Sequence, residues 1–456
     1  MKILKNITVF TLVMLLSVST ILEAREKSVS NFSSSTSNYV DSVGTFDGNK
    51  IYADVANNGL FLDYHVSGDS ALEWPKGTGV HSIFQSALWM GATVNGSIRT
   101  IVGDYTQDMG PGPWGGDPLA AVHRIYKVEK SMLASPLDFA DFQEWPVDFG
   151  APWVDVDGDG VYTPLPGGTD HPEFLGDQVL WFVSNDGDPA YKLNFGTSPL
   201  NVEIQTTMFG FDRPDVFGDM VFLKQLVINY GSDDLVDTYM GLWSDPDLGY
   251  AGDDFVGCDV ALGMGYVWND GDDSQYSTLD VGTPAAGYDF FQGPMVPCED
   301  GDSEEVCPAE GAKMFGTRHP GMKNLKMSSF AFYINGDATY TDPSDETEGY
   351  FYLQGLRKDG SAYPNEIAGD LYNQRFCFYG DPNDSAGHST ANPVDGNYAA
   401  SADRRFLMSV GPFTMAAGDS QEVVFGIFHA AGGDALSSVA YLKEVDALAQ
   451  TAYDID

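Results

Sequence analysis

The run Trp153-Val154-Asp155-Val156-Asp157-Gly158-Asp159-Gly160-Val161-Tyr162 sets three aspartates at alternate positions among glycines. Carboxylates so spaced on one tight loop can turn several oxygens toward a single point. That suits Ca²⁺, a hard cation that takes about six to eight oxygen ligands. Counted from Asp155, an EF-hand loop would draw on Asp157, Asp159 and the carbonyl of Val161, and would close with a bidentate Glu at the twelfth position. That position is Pro166. Pro152, Pro164 and Pro166 also forbid regular helices on either side. The expectation is therefore an EF-like calcium loop on a β scaffold, completed from elsewhere in the chain. Asp170, Glu173 and Asp177 are the nearest candidates.

A second acidic run, Trp243 to Asp259, carries Asp245, Asp247, Asp253, Asp254 and Asp259. Carboxylates so crowded repel one another unless a cation, protons or solvent neutralise them. A second calcium loop and a solvated acidic turn are both open for it. Asn185, Asp186 and Asp188 form a weaker set, read as a turn. Paired acids with aromatic neighbours such as Trp74, Trp89, Trp114 and Trp145 are also the ingredients of glycoside hydrolysis. With 66 acidic residues, however, such pairings arise by chance. The chain has no HExxH, GxSxG or GxxxxGK[ST] motif. No catalytic residue and no organic cofactor is assigned. His171, beside Asp170 and Glu173, is no exception, because an oxygen-rich site favours calcium over metals that take imidazole.

The formal charge of −43 is spread along the chain among Gly, Asn and Ser. Such a field repels phosphate backbones and anionic membranes, which argues against nucleic-acid binding and leaves divalent cations as natural partners. Residues 1–24 read as a secretory signal peptide: Lys2 and Lys5, an apolar run from Ile7 to Leu16, and small residues up to Ala24. No other segment approaches the roughly 20 apolar residues of a transmembrane helix. The mature chain is expected to be soluble and secreted or displayed at the cell surface. Its four cysteines fit an oxidising compartment. Cys298 and Cys307 bracket a short loop whose closure is cheap, which leaves Cys258 to pair with Cys377.

Short β-branched and aromatic runs bounded by Gly, Asp, Asn or Pro recur throughout. They include Leu60 to His65, Ser86 to Val94, Val179 to Val183, Val202 to Phe209, Met220 to Tyr230, Thr238 to Trp243, Ala261 to Val267, Ser328 to Ile334, Tyr350 to Leu353, Arg405 to Val410 and Glu422 to His429. This pattern predicts an all-β fold, a large β-sandwich or fused β-sandwiches with long acidic loops, notably Asp270 to Lys313 and Asp381 to Asp403. One C-terminal helix is expected from Asp434 to Tyr453, where Leu436, Val439, Leu442, Val445 and Leu448 recur at near-helical spacing. The organisation read from these elements is a flexible polar segment over 25–45, a β-rich region with the calcium loop over 46–185, and a β-sandwich region with the helix over 186–456.

Several segments together resemble large secreted surface proteins of the Bacteroidota and neighbouring bacterial groups. They are Gly59-Leu60-Phe61, Leu72-Glu73-Trp74-Pro75-Lys76-Gly77, Ala87-Leu88-Trp89-Met90-Gly91-Ala92, the Asp155 loop, Gly241-Leu242-Trp243-Ser244-Asp245-Pro246-Asp247-Leu248-Gly249, Asp403-Arg404-Arg405-Phe406 and Ser409-Val410-Gly411-Pro412-Phe413. The resemblance spans most of the mature chain. It implies export and a structural or adhesive role without catalysis, often with fibronectin-like modules and a C-terminal sorting domain for type IX secretion. This sequence shows no sorting signal after its predicted helix, so the expectation is either a piece of a longer protein or a short member exported by its signal peptide. The function expected is that of a calcium-stabilised extracellular structural or interaction module, with glycans or proteins as further partners. The alternative is a carbohydrate-binding or glycoside hydrolase-like secreted protein.

Overall fold

The computed structural model describes residues 43–165, 170–363, 375–384 and 400–455. Residues 1–24, read above as a signal peptide, lie outside these residues, as do Pro166, most of the 25–45 segment and the middle of the Asp381 to Asp403 connection. Strands in antiparallel sheets dominate the described chain, as the alternating patterns require.

The larger sheet has nine strands. Its order runs Asp254–Asp259, Met264–Asn269, Ala285–Gln292, Ser420–Ala430, Met220–Asn229, Val202–Gly210, Gln178–Asn185 and Gly110–Pro111, with Tyr126–Glu129 also paired to Gln178–Asn185. The second sheet has five strands, in the order Met327–Ile334, Arg404–Met415, Leu235–Asp245, Gln85–Val94 and Ser97–Ile101. A four-stranded sheet of Val43–Phe46, Tyr52–Ala56, Leu72–Glu73 and His81–Ile83 adds to these, so the segment read as flexible ends in a strand. Both main sheets draw strands from before and after residue 185, and no sheet boundary falls there.

Side-chain alternation explains the layering, because successive residues of a strand point to opposite faces. Val221, Leu223 and Val227 join the main core, whereas Met220 and Phe222 join a second cluster on the other face. Val423, Phe425 and Ile427 alternate with Val424 and Phe428 in the same way. The main core lies between the two sheets. There Tyr288 of the larger sheet bonds Ser86 and Ser244 of the smaller, each at 2.8 Å, and packs edge-on against Phe406. The second cluster is roofed by the C-terminal helix Ala435–Ile455, entered through Asp434, whose Oδ1 accepts the Ser437 amide at 2.8 Å. Val439, Leu442 and Val445 are buried as the spacing predicts, but Leu436 and Leu448 are exposed, because the stripe that meets the sheet runs through Asp446 and Ala449 instead. A third cluster covers the far end of that face, where Phe142, Trp145 and Ala151 pack on Val128, Val179 and Trp181.

Four expectations are corrected. Tyr350 to Leu353 belongs to a helix, Glu346–Leu353, started by Asp345, whose side chain accepts the amides of Thr347 and Glu348. Leu60 to His65 makes one bridge, Leu62 to Ser86, and no extended strand. The Asp270 to Lys313 stretch is not one long loop, since Ala285–Gln292 pairs on both sides within the larger sheet. Cys298 and Cys307 are bonded, but Cys258 and Cys377 are free buried thiols, with Cys258 Sγ placed 3.5 Å from the Cys377 carbonyl. Among the described residues no helix is long and apolar enough to cross a membrane.

Candidate metal centre

The strand Trp153–Val154 pairs antiparallel with His171–Pro172, in the register His171 to Val154 and Pro172 to Trp153. This short ladder closes the aspartate loop and brings Asp170 back against its start. Asp155, Asp157, Asp159 and Asp170 each place a carboxylate oxygen within 4.8 Å of the others, a grouping that could hold a metal ion. Asp170 is the buried member, 1% exposed, and the other three face solvent. Below the loop, Tyr162 OH donates to the Phe142 carbonyl at 2.6 Å and Trp145 Nε1 to that of Pro152 at 2.9 Å. The loop is thus pinned to the third core cluster.

Backbone amides orient these carboxylates. Asp155 accepts from Gly158 at 2.6 Å and Gly160 at 2.9 Å, Asp157 from Asp159 at 3.1 Å, and Asp159 from Val161 at 2.7 Å. Asp170 accepts from Val156 at 3.0 Å and from the Thr163 amide at 2.8 Å. Gly158 and Gly160 take φ of 77° and 76°, a conformation that costs glycine little and lets the chain coil around the carboxylates. Each carboxylate oxygen has two lone pairs, so an oxygen held by one amide retains one for a cation. The Thr163 and Val156 amides hold the Asp170 carboxyl below its usual value. Asp157 differs: the Asp159 amide favours its ionised form, yet desolvation and the charges of Asp159, Asp170 and Asp155 together raise it. The donor set is all oxygen and anionic, with no basic side chain bonded to it among the described residues, which fits a hard divalent cation.

The second acidic run divides. Asp245 and Asp247 meet Asp403, from the start of a neighbouring strand, in a group of three. Arg405 stands among them: its Nη2 lies 3.1 Å from Asp245 Oδ2 and its Nη1 2.6 Å from Asp403 Oδ1. Tyr105 OH also donates to Asp245 Oδ2, at 2.7 Å. Burial raises the Asp245 carboxyl well above its usual value, against the pull of Arg405 and Tyr105, both bonded to Oδ2, toward its charged form. Burial first, then the charge of Asp403, raises Asp247 to about 6. Here the fold supplies an internal counter-ion.

The remaining candidates join neither group. Asp253 and Asp254 both accept from Asn269 Nδ2, at 2.7 and 3.1 Å, and buried Asp254 also accepts the Leu248 amide at 3.2 Å. Asp259 pairs with Lys443 at 3.0 Å, and Asp177 caps the Asp212 amide at 2.9 Å. Val161 stays on the first loop, exposed, with its amide on Asp159. Glu173 belongs to neither acidic group, its amide donating to the Pro152 carbonyl at 3.0 Å. Asp403 was the residue missed; its signal was the Asp-Arg-Arg run beside a strand, which joins an acid to a cation able to reach it. Comparison with protein-family models and with curated proteins finds no match.

Proposed function

We propose that this chain is a secreted, calcium-stabilised β-sandwich that works as an extracellular or cell-surface structural or interaction module without catalysis. The observation that carries this reading is the four-aspartate group at Asp155, Asp157, Asp159 and Asp170, oriented by amides and tied to the core through Tyr162 and Trp145. A cation there joins the two ends of the loop and braces the cluster beneath it. Ligand bound only by the folded state adds stability by mass action, about 2.7 kcal/mol at a hundredfold excess over Kd. Terbium, a luminescent stand-in for calcium, tests the site, because Trp153 and Tyr162 flank the loop and can sensitise it. Sensitised emission that calcium displaces is the expected result. No emission at saturating terbium would remove the site.

One observation favours a second reading, carbohydrate binding. Trp114 and Tyr230 form a parallel ring pair, 5.4 Å between centroids and 5° between planes, yet remain 42% and 45% exposed. A flat, fixed aromatic surface suits the C–H face of a sugar ring. A glycan screen of the wild type and Trp114→Ala separates the readings: hits lost in the variant support a sugar platform, and an empty screen removes it.

A further inference from the structure

The face of the C-terminal helix that meets the larger sheet is apolar at Val439, Leu442 and Ala449, but at its centre stands Asp446, 1% exposed. Facing it from the sheet is Asp289, fully buried, on the same side of its strand as Phe291. The two carboxyl groups lie within hydrogen-bonding reach of each other. Apart from a weak contact from the Phe290 amide, none of their four oxygens has a donor of good geometry. Two ionised carboxylates cannot share such a place, since desolvation and mutual repulsion both penalise the second charge. One proton between them turns one group into a donor and the other into its acceptor.

The surrounding charges do not replace that proton. Lys443, one helical turn away, is held by Asp259 at 3.0 Å and Asp381 at 2.9 Å. Asp259 and, from the last turn, Asp454 add negative charge near the pair. A cavity of about 510 Å³ reaches Asp446, lined also by Arg318, Lys326, Glu305 and Glu310. Arg318 donates instead to the Gly311 and Asp454 carbonyls, both at 3.4 Å. That cavity runs up to Asp446, while the carboxyl oxygens of both acids stay closed to water.

We propose that one proton shared by Asp289 and Asp446 latches the C-terminal helix onto the sandwich, and that loss of this proton loosens the helix. Burial, then the partner's charge, raises Asp289 well above the usual carboxylate range, and burial with the charge of Asp259 raises Asp446 to about 7. In the unfolded chain both titrate near about 3.9. From there upward the unfolded state has released protons that the folded pair retains, so this interface is strongest in acid and weakens as pH rises: Asp446 gives up its proton first, and the shared proton, held by Asp289, leaves last.

Amide hydrogen exchange across residues 435–455 of the intact chain, corrected for intrinsic pH dependence and compared at about pH 5 and about pH 8.5, reads the latch directly. Opening of the helix should rise about tenfold or more at the higher pH, with the Met220–Asn229 strand unchanged. Asp446→Asn and Asp289→Asn should each abolish that rise, because the amide donates to the remaining carboxylate at every pH. Equal protection at both pH values in the wild type would overturn the proposal, as would an undiminished rise in whichever variant folds. Protection retained at high pH only with added calcium would overturn it too, in favour of a bridging cation.

Discussion

Two acidic clusters in one chain solve the same electrostatic problem in opposite ways. The Asp155 loop lies at the surface, its carboxylates held by backbone amides, with no basic side chain bonded to them among the described residues. The Asp245, Asp247 and Asp403 group lies partly inside the fold around Arg405, whose side chain is 7% exposed. Amides orient carboxylates without cancelling their charge, whereas a guanidinium cancels it and occupies their lone pairs. On the proposed reading, a dense run of aspartates calls for an external cation only where the fold brings no internal one.

Breaking the internal pair should have the largest effect. Arg405→Met leaves Asp245 buried without its cation and should cost about 3–5 kcal/mol, read as a lower denaturation midpoint that calcium does not restore. Next comes the loop. Asp157→Asn with Asp159→Asn should remove the calcium-dependent part of stability, about 2–3 kcal/mol in excess calcium, and change little in chelator. A calcium response undiminished in this double variant would place the ion elsewhere.

A smaller effect separates the clusters by pH. Asp247, raised to about 6, keeps a proton in the folded state that the unfolded chain releases above about 4, so its contribution falls as pH rises between those values. Asp170, held low by amides, has the reverse sign: its contribution is complete above the unfolded value and is lost as pH falls through the lower folded one. Asp247→Asn should therefore flatten the fall in stability between about pH 4 and 6 by about 1–2 kcal/mol, a value reduced for its partial exposure. Urea midpoints across that range check the slope.

The all-β class was legible because strand alternation is local, and the C-terminal helix because its period and its Asp434 cap are local too. Tyr350 to Leu353 misled for the same reason: its aromatics suit a strand, but the Asp345 cap and the acidic first turn decide for a helix. At the loop, Asp155, Asp157 and Asp159 announced themselves by spacing, and Asp170 by proximity. The second cluster could not be read in this way. Its outcome depends on Arg405, which reaches Asp245 across a separation of 160 residues, and no spacing rule carries that information. The Asp289 and Asp446 pair was hidden likewise, because one strand and one helix far apart in sequence must dock before either acid loses water.

The central claim is that the loop, unlike the Arg405 group, takes its counter-ion from solution. Thermal unfolding of the intact chain in excess calcium and in excess chelator tests it most directly. The expected result is a melting temperature higher in calcium by several degrees, with the difference abolished in the Asp157→Asn, Asp159→Asn variant. Equal melting temperatures in the two conditions would contradict it.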